Sequence, residues 1–98
     1  MFSEKFLDEV IAFTCGFKSA TRSIDDHPSY WLELTSCAYM QEGVIVLEVQ
    51  EDIRSIVIRR QISYTEIELS VSSPYDLGLK MGRLMVLEVL KEVDEYED

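Results

Sequence analysis

Histidine and cysteine are nearly missing from this chain, and their scarcity removes whole classes of chemistry. One histidine, His27, and two cysteines, Cys15 and Cys37, occur in 98 residues. A zinc site needs three or four converging ligands, and two cysteines are too few for a disulfide framework. There is also no CxxC, no histidine pair, no glycine-rich phosphate loop after a strand and no serine in a nucleophile-elbow context. The expectation is a non-catalytic protein with no metal and no cofactor. Each cysteine falls in a regular element, where a free thiol usually serves as a small buried hydrophobe.

Long apolar runs are missing too. No stretch reaches the length needed to span a bilayer, and the N-terminus lacks the charged-then-apolar order of a leader peptide. A cytoplasmic, reduced chain is expected. Basic residues are the third shortage: nine Lys and Arg stand against nineteen Asp and Glu, for a formal net charge of −10. That field repels phosphate backbones and anionic membranes and steers toward basic partners. Direct nucleic-acid and membrane binding are therefore disfavoured; the same acidity also keeps a small domain soluble.

What is present is a compact, patterned chain. Hydrophobic residues make up 47% of it, too many for a disordered tail, and its length fits one domain spanning residues 1–98. Ser3 can cap a helix with the apolar stripe Phe2, Phe6, Leu7, Val10, Ile11, Phe13 and Thr14, and Gly16 reads as its stop. Asp25-Asp26-His27-Pro28 follows; a carboxylate beside an imidazole can tune its basicity, but Pro28 favours an extended connector.

From Tyr30 to Val71 the pattern alternates. Tyr30, Leu32, Leu34, Ala38 and Met40 face one way and Trp31, Glu33, Thr35, Cys37 and Tyr39 the other. Gln41-Glu42-Gly43 makes a tight hairpin, and Ile45, Leu47 and Val49 continue inward. Ile53–Ile62 also fits a helical spacing, but its β-branched density favours a strand with Ile56, Ile58 and Ile62 on one face. Its arginines, Arg54, Arg59 and Arg60, lie against acidic neighbours and suit cross-strand ion pairs. Tyr64–Val71 alternates as a fourth strand, with Ile67, Leu69 and Val71 inward.

Ser73-Pro74-Tyr75-Asp76 opens a last helix running to about Tyr96. Val86, Val89, Leu90 and Val93 form its buried stripe. Its first half is apolar on two sides and needs cover on both. Gly78 and Gly82 remove side chains along one line of it, which lets a neighbouring element lie close. The residues from Glu92 onward place acid at a helix C-terminus, mildly against the dipole.

These readings give an α+β fold: a four-stranded antiparallel meander with an N-terminal and a C-terminal helix packed on one face, in the order α-β-β-β-β-α. The outward sheet face then carries aromatics within carboxylates, a composition that protein interfaces favour. The candidate partner-binding residues are Trp31, Glu33, Tyr39, Val46, Glu48, Tyr64, Glu66 and Glu68. They suggest an acidic inhibitor that occupies a basic, nucleic-acid-binding surface of a target protein, by analogy with small acidic inhibitors of viruses and mobile elements. The alternative is a homodimeric chaperone or adaptor of the secretion-chaperone type.

Overall fold

The computed structural model describes residues 4–22 and 33–97. Ser3 and the segment holding His27, Trp31 and Leu32 lie outside them. Six elements follow in order: α1 (Glu4–Arg22), β1 (Leu34–Gln41), β2 (Val44–Glu51), β3 (Ile56–Ser63), α2 (Tyr64–Leu69) and α3 (Pro74–Glu97). The class is α+β, with helices before and after an antiparallel sheet of order β1-β2-β3. The expected fourth strand, Tyr64–Val71, is instead α2 and its link to α3.

The sheet is pinned at both of its turns. Glu42 and Gly43 have φ of 50° and 82°, and Gln41 pairs with Val44, so two left-handed residues close the first hairpin as a primed turn. At the second turn Glu51 is fully buried. Its carboxylate accepts from Glu33 N–H at 2.9 Å, Ile53 N–H at 3.3 Å, Arg54 N–H at 3.0 Å and Arg54 Nη1 at 2.9 Å. One side chain thus closes Asp52–Ser55 and holds the approach to β1. Burial pushes its pKa up, but these donors outweigh burial and the net shift is downward.

Ile45, Leu47 and Val49 of β2 and Ile56, Ile58 and Ile62 of β3 meet Phe13 and Phe17 of α1, Ile67 of α2, and Met85, Val86, Val89 and Val93 of α3 in one core. The inward sets expected for β2 and β3 are those observed. At the end of α1, Thr21 Oγ1 donates to Lys18 O at 2.9 Å, so the Ser36 hydroxyl, 2.8 Å away, is the donor that ties β1 to this helix.

Glycine decides how α1 and α3 meet. A Cβ on Gly78 would stand 2.8 Å from Phe17 N and closer still to Phe13 O; one on Gly82 would stand 2.8 Å from Phe17 O and 2.7 Å from Ala20 Cβ. One on Gly16 would strike Tyr75 O. Because Gly78 faces Phe13 and Phe17 while Gly82 faces Phe17 and Ala20, the two helices rise in the same direction with backbone against backbone. Gly16 is therefore no stop. The helix runs on to Arg22 because the contact with α3 outweighs the roughly 1 kcal/mol that a mid-helix glycine costs.

Other expectations fail on the outer sides of the helices. Leu7, Ile11, Leu84 and Leu87 are exposed, so the second apolar side expected for α3 is not covered at Leu84. Cys15 is exposed as well and Cys37 half-buried, both as free thiols.

Gly78→Ala tests the crossing. At an open helical position the change would stabilise the chain; here overpacking should cost about 2 kcal/mol and lower the midpoint of thermal unfolding by roughly 10 °C. Glu51→Gln should destabilise by about 3 kcal/mol at neutral pH, since a neutral amide replaces a buried carboxylate that accepts from three backbone N–H groups and the Arg54 guanidinium. Glu51's depressed pKa places its contribution above the unfolded carboxylate value of about 4.3, to be lost as pH falls through the folded value. Unfolding midpoints measured from neutral pH to about pH 3 should therefore fall less steeply in the variant than in the native chain.

Candidate protein-interaction surface

Four cross-strand rows make up the sheet face opposite the helical core, the last of them Gln41, Val44 and Ser63 beside the first hairpin. Thr35, Gln50 and Val57 form one, Cys37, Glu48 and Arg59 the next, and Tyr39, Val46 and Gln61 the third. In the second row Arg59 Nε donates to Glu48 Oε1 at 2.7 Å, its Nη2 donates to the same oxygen, and the Cys37 thiol donates to Oε2 at 3.4 Å. Arg59 foremost, then the thiol, holds the Glu48 carboxyl below its ordinary value. Burial and the adjoining carboxylate push the Cys37 thiol up, so it is a poor nucleophile.

That arrangement corrects the expected acidic, aromatic front. Val46 is 1% exposed and Glu48 8%, and Glu48's charge is matched within the chain. Tyr39 and Val57 remain exposed on this face, but no free carboxylate stands between them in these rows. Glu33 is exposed at the start of β1, at the far end of that strand from Tyr39. Trp31 lies outside the described residues.

The other three candidates leave the sheet altogether. Ser63 and Glu66 form a reciprocal capping box: Glu66 N–H donates to Ser63 Oγ at 3.2 Å and Ser63 N–H to Glu66 Oε2 at 2.7 Å. This Ser-x-x-Glu signal starts a helix. It was present in the sequence but masked by an alternation of period two. Turning the chain at Ser63 drives Ile67 into the core and Tyr64 toward α1, where its hydroxyl donates to Glu9 Oε2 at 3.0 Å. Burial foremost, together with the Glu9 carboxylate, raises the Tyr64 pKa to about 12. Tyr64 is thus a neutral tie between helices.

The same turn reverses two other residues. Leu69 and Val71, expected inward, are 75% and fully exposed. The link stays open because Ser73 begins α3 at once: Asp76 N–H donates to Ser73 Oγ at 3.2 Å and Leu77 N–H to Ser73 O at 2.9 Å. Glu66 and Glu68 are exposed beside the two apolar residues, and Tyr75 and Asp76 are exposed on the first turn of α3. The result is an exposed apolar prong next to two of the candidate residues, Glu66, whose carboxylate caps Ser63 N–H, and Glu68, whose carboxylate neighbours Tyr64.

Among the described residues no group of His, Cys, Asp and Glu side chains could hold a metal ion, and no helix is long and apolar enough to cross a membrane. Comparison with protein-family models, curated proteins and solved structures gives no match to this chain.

Proposed function

We propose that this chain is a non-catalytic acidic module that binds a protein partner through α2 and the link into α3. Leu69 and Val71 act as apolar anchors, and Glu66 and Glu68 meet cations around the partner's apolar seat. The exposure of Leu69 and Val71 beside those carboxylates carries the reading. A small domain gains nothing in stability from two bare aliphatic side chains, whereas apolar surface rimmed by polar residues is a mark of protein-interaction sites.

The net charge of −10 strengthens the case for a basic partner, since long-range attraction raises the encounter rate before any contact forms. Occupying such a surface would exclude whatever anionic ligand it otherwise holds, which makes inhibition the most direct biological consequence. The binding surface is the α2 prong, with Tyr39 and Val57 on the sheet as a separate, less charged region.

Capture from native lysate on the immobilised chain tests this. A partner should be retained at about 0.1 M salt and largely lost at about 1 M, where the screening length falls from roughly 10 Å to 3 Å. Replacing Leu69 and Val71 with serine should cost about 2 kcal/mol or more in affinity while leaving the unfolding midpoint nearly unchanged, because both side chains are exposed. Retention of the same partner by the serine variant, or at high salt, would refute the assignment.

A further inference from the structure

Four cations of this chain are held in ion pairs among the described residues. Lys5 pairs with Glu9, Arg54 with Glu51, Arg59 with Glu48 and Arg60 with Glu88. Lys80, Arg83 and Lys91 make no ion pair among the described residues, and all three are exposed on α3. Lys18, exposed on α1, makes none either; the three on α3 lie together. Lys80, Leu84, Leu87 and Lys91 follow at i, i+4, i+7 and i+11, a single stripe, with Arg83 at its margin. Leu84 is 51% exposed and Leu87 59%. Two bare leucines thus share a stripe of α3 with Lys80 and Lys91 and have Arg83 at its margin.

This stripe complements the prong at its Lys80 and Arg83 end, two aliphatic residues beside cations against two beside carboxylates; at its other end Lys91 lies next to Glu88, Glu92 and Glu95. The prong precedes α3, and the stripe lies about 9 to 25 Å up the helix from Pro74 at 1.5 Å per residue, leading away from it. We propose that two copies of this chain associate through reciprocal contacts, the α2 prong of each on the α3 stripe of the other. A two-fold pair satisfies both prongs and both stripes at once and closes the assembly.

Self-repulsion between two acidic chains opposes this, but at physiological salt charges beyond about 8 Å are screened, so the local match decides. An anionic membrane or nucleic acid would also suit three cations; it would have to approach the whole acidic field, whereas the chain supplies a matching acidic, apolar surface of its own. The inference rests on the prong being the binding surface and adds a consequence: self-association covers the prong, so partner and second copy compete for it.

Sedimentation of the full chain at tens of micromolar should show a dimer. Reversing the stripe with Lys80→Glu, Arg83→Glu and Lys91→Glu should give a monomer, as should altering the prong with Glu66→Gln and Glu68→Lys, which keeps an acceptor for the Ser63 cap. Mixing the two variants should restore a pair, because the reversed stripe then meets the basic prong and the native stripe meets the native prong. Far-UV dichroism checks that both remain folded. Lys5→Glu with Lys18→Glu, outside the stripe, should leave the dimer intact.

A monomeric native chain, failure of the mixture to associate, or equal loss in the Lys5 and Lys18 control would overturn the proposal. So would binding of the native chain to phosphatidylserine vesicles without self-association, which would assign the stripe to lipid. The stripe variant should also capture the lysate partner more strongly than the native chain, its prong being uncovered. A native monomer that still captures a partner sinks only the dimer; a charge-dependent dimer that captures none sinks only the heterotypic reading.

Discussion

The contact on which the rest depends is the crossing of α1 over α3, where Gly16, Gly78 and Gly82 let two backbones touch without side chains between them. Spacing of small residues four apart on both helices, Gly16 with Ala20 and Gly78 with Gly82, is the pattern that permits such an approach. Once α3 is seated this closely, its rotation is set. Met85, Val86, Val89 and Val93 turn into the core, and Leu84 and Leu87 with their basic neighbours turn outward. The outer stripe is therefore a consequence of where the glycines lie.

A second constraint comes from charge. With few cations available, the fold places three arginines of the β2–β3 region on specific carboxylates: Arg54 on Glu51, Arg59 on Glu48 and Arg60 on Glu88. Every buried side-chain nitrogen and oxygen among the described residues has a partner, so the sheet's polar groups are satisfied internally. Pairs this well matched are not available to a ligand. Glu66 and Glu68 are exposed next to bare apolar side chains, and each also has a partner within the chain, Ser63 N–H for Glu66 and Tyr64 for Glu68.

Much of this was legible in advance, for physical reasons. The hairpin at Glu42-Gly43, the inward isoleucines of β3, the Ser73-Pro74 start of α3 and the close approach at Gly78 and Gly82 each follow from local chemistry that tertiary context left alone. Ion pairing of the β3 arginines with acidic neighbours was readable, but not the Glu48–Arg59 pair itself, because the strand begins at Ile56 and not at Ile53. Tyr64–Val71 was not, because alternation and a capping box coexist in the same eight residues and only the helix lets Ile67 reach the core. That one misassignment inverted Leu69 and Val71, which were expected inside and are instead the most exposed aliphatic side chains among the described residues. Gly16 misled in the opposite sense: a glycine near the end of an apolar stripe resembles a cap until a second helix is laid against it. The burial of Val46 and Glu48, on the face expected to be open, had no signal in the sequence.

Nuclear Overhauser effects at the glycine α-protons test the helix crossing most directly. Strong cross-peaks from Gly78 to backbone protons of Phe13 and Phe17, and from Gly82 to Phe17 and Ala20, are expected if the backbones touch and the helices run in parallel. Cross-peaks from these glycines only to distant side chains, or to residues in the reverse order along α1, would contradict the crossing and with it the placement of the outer α3 stripe.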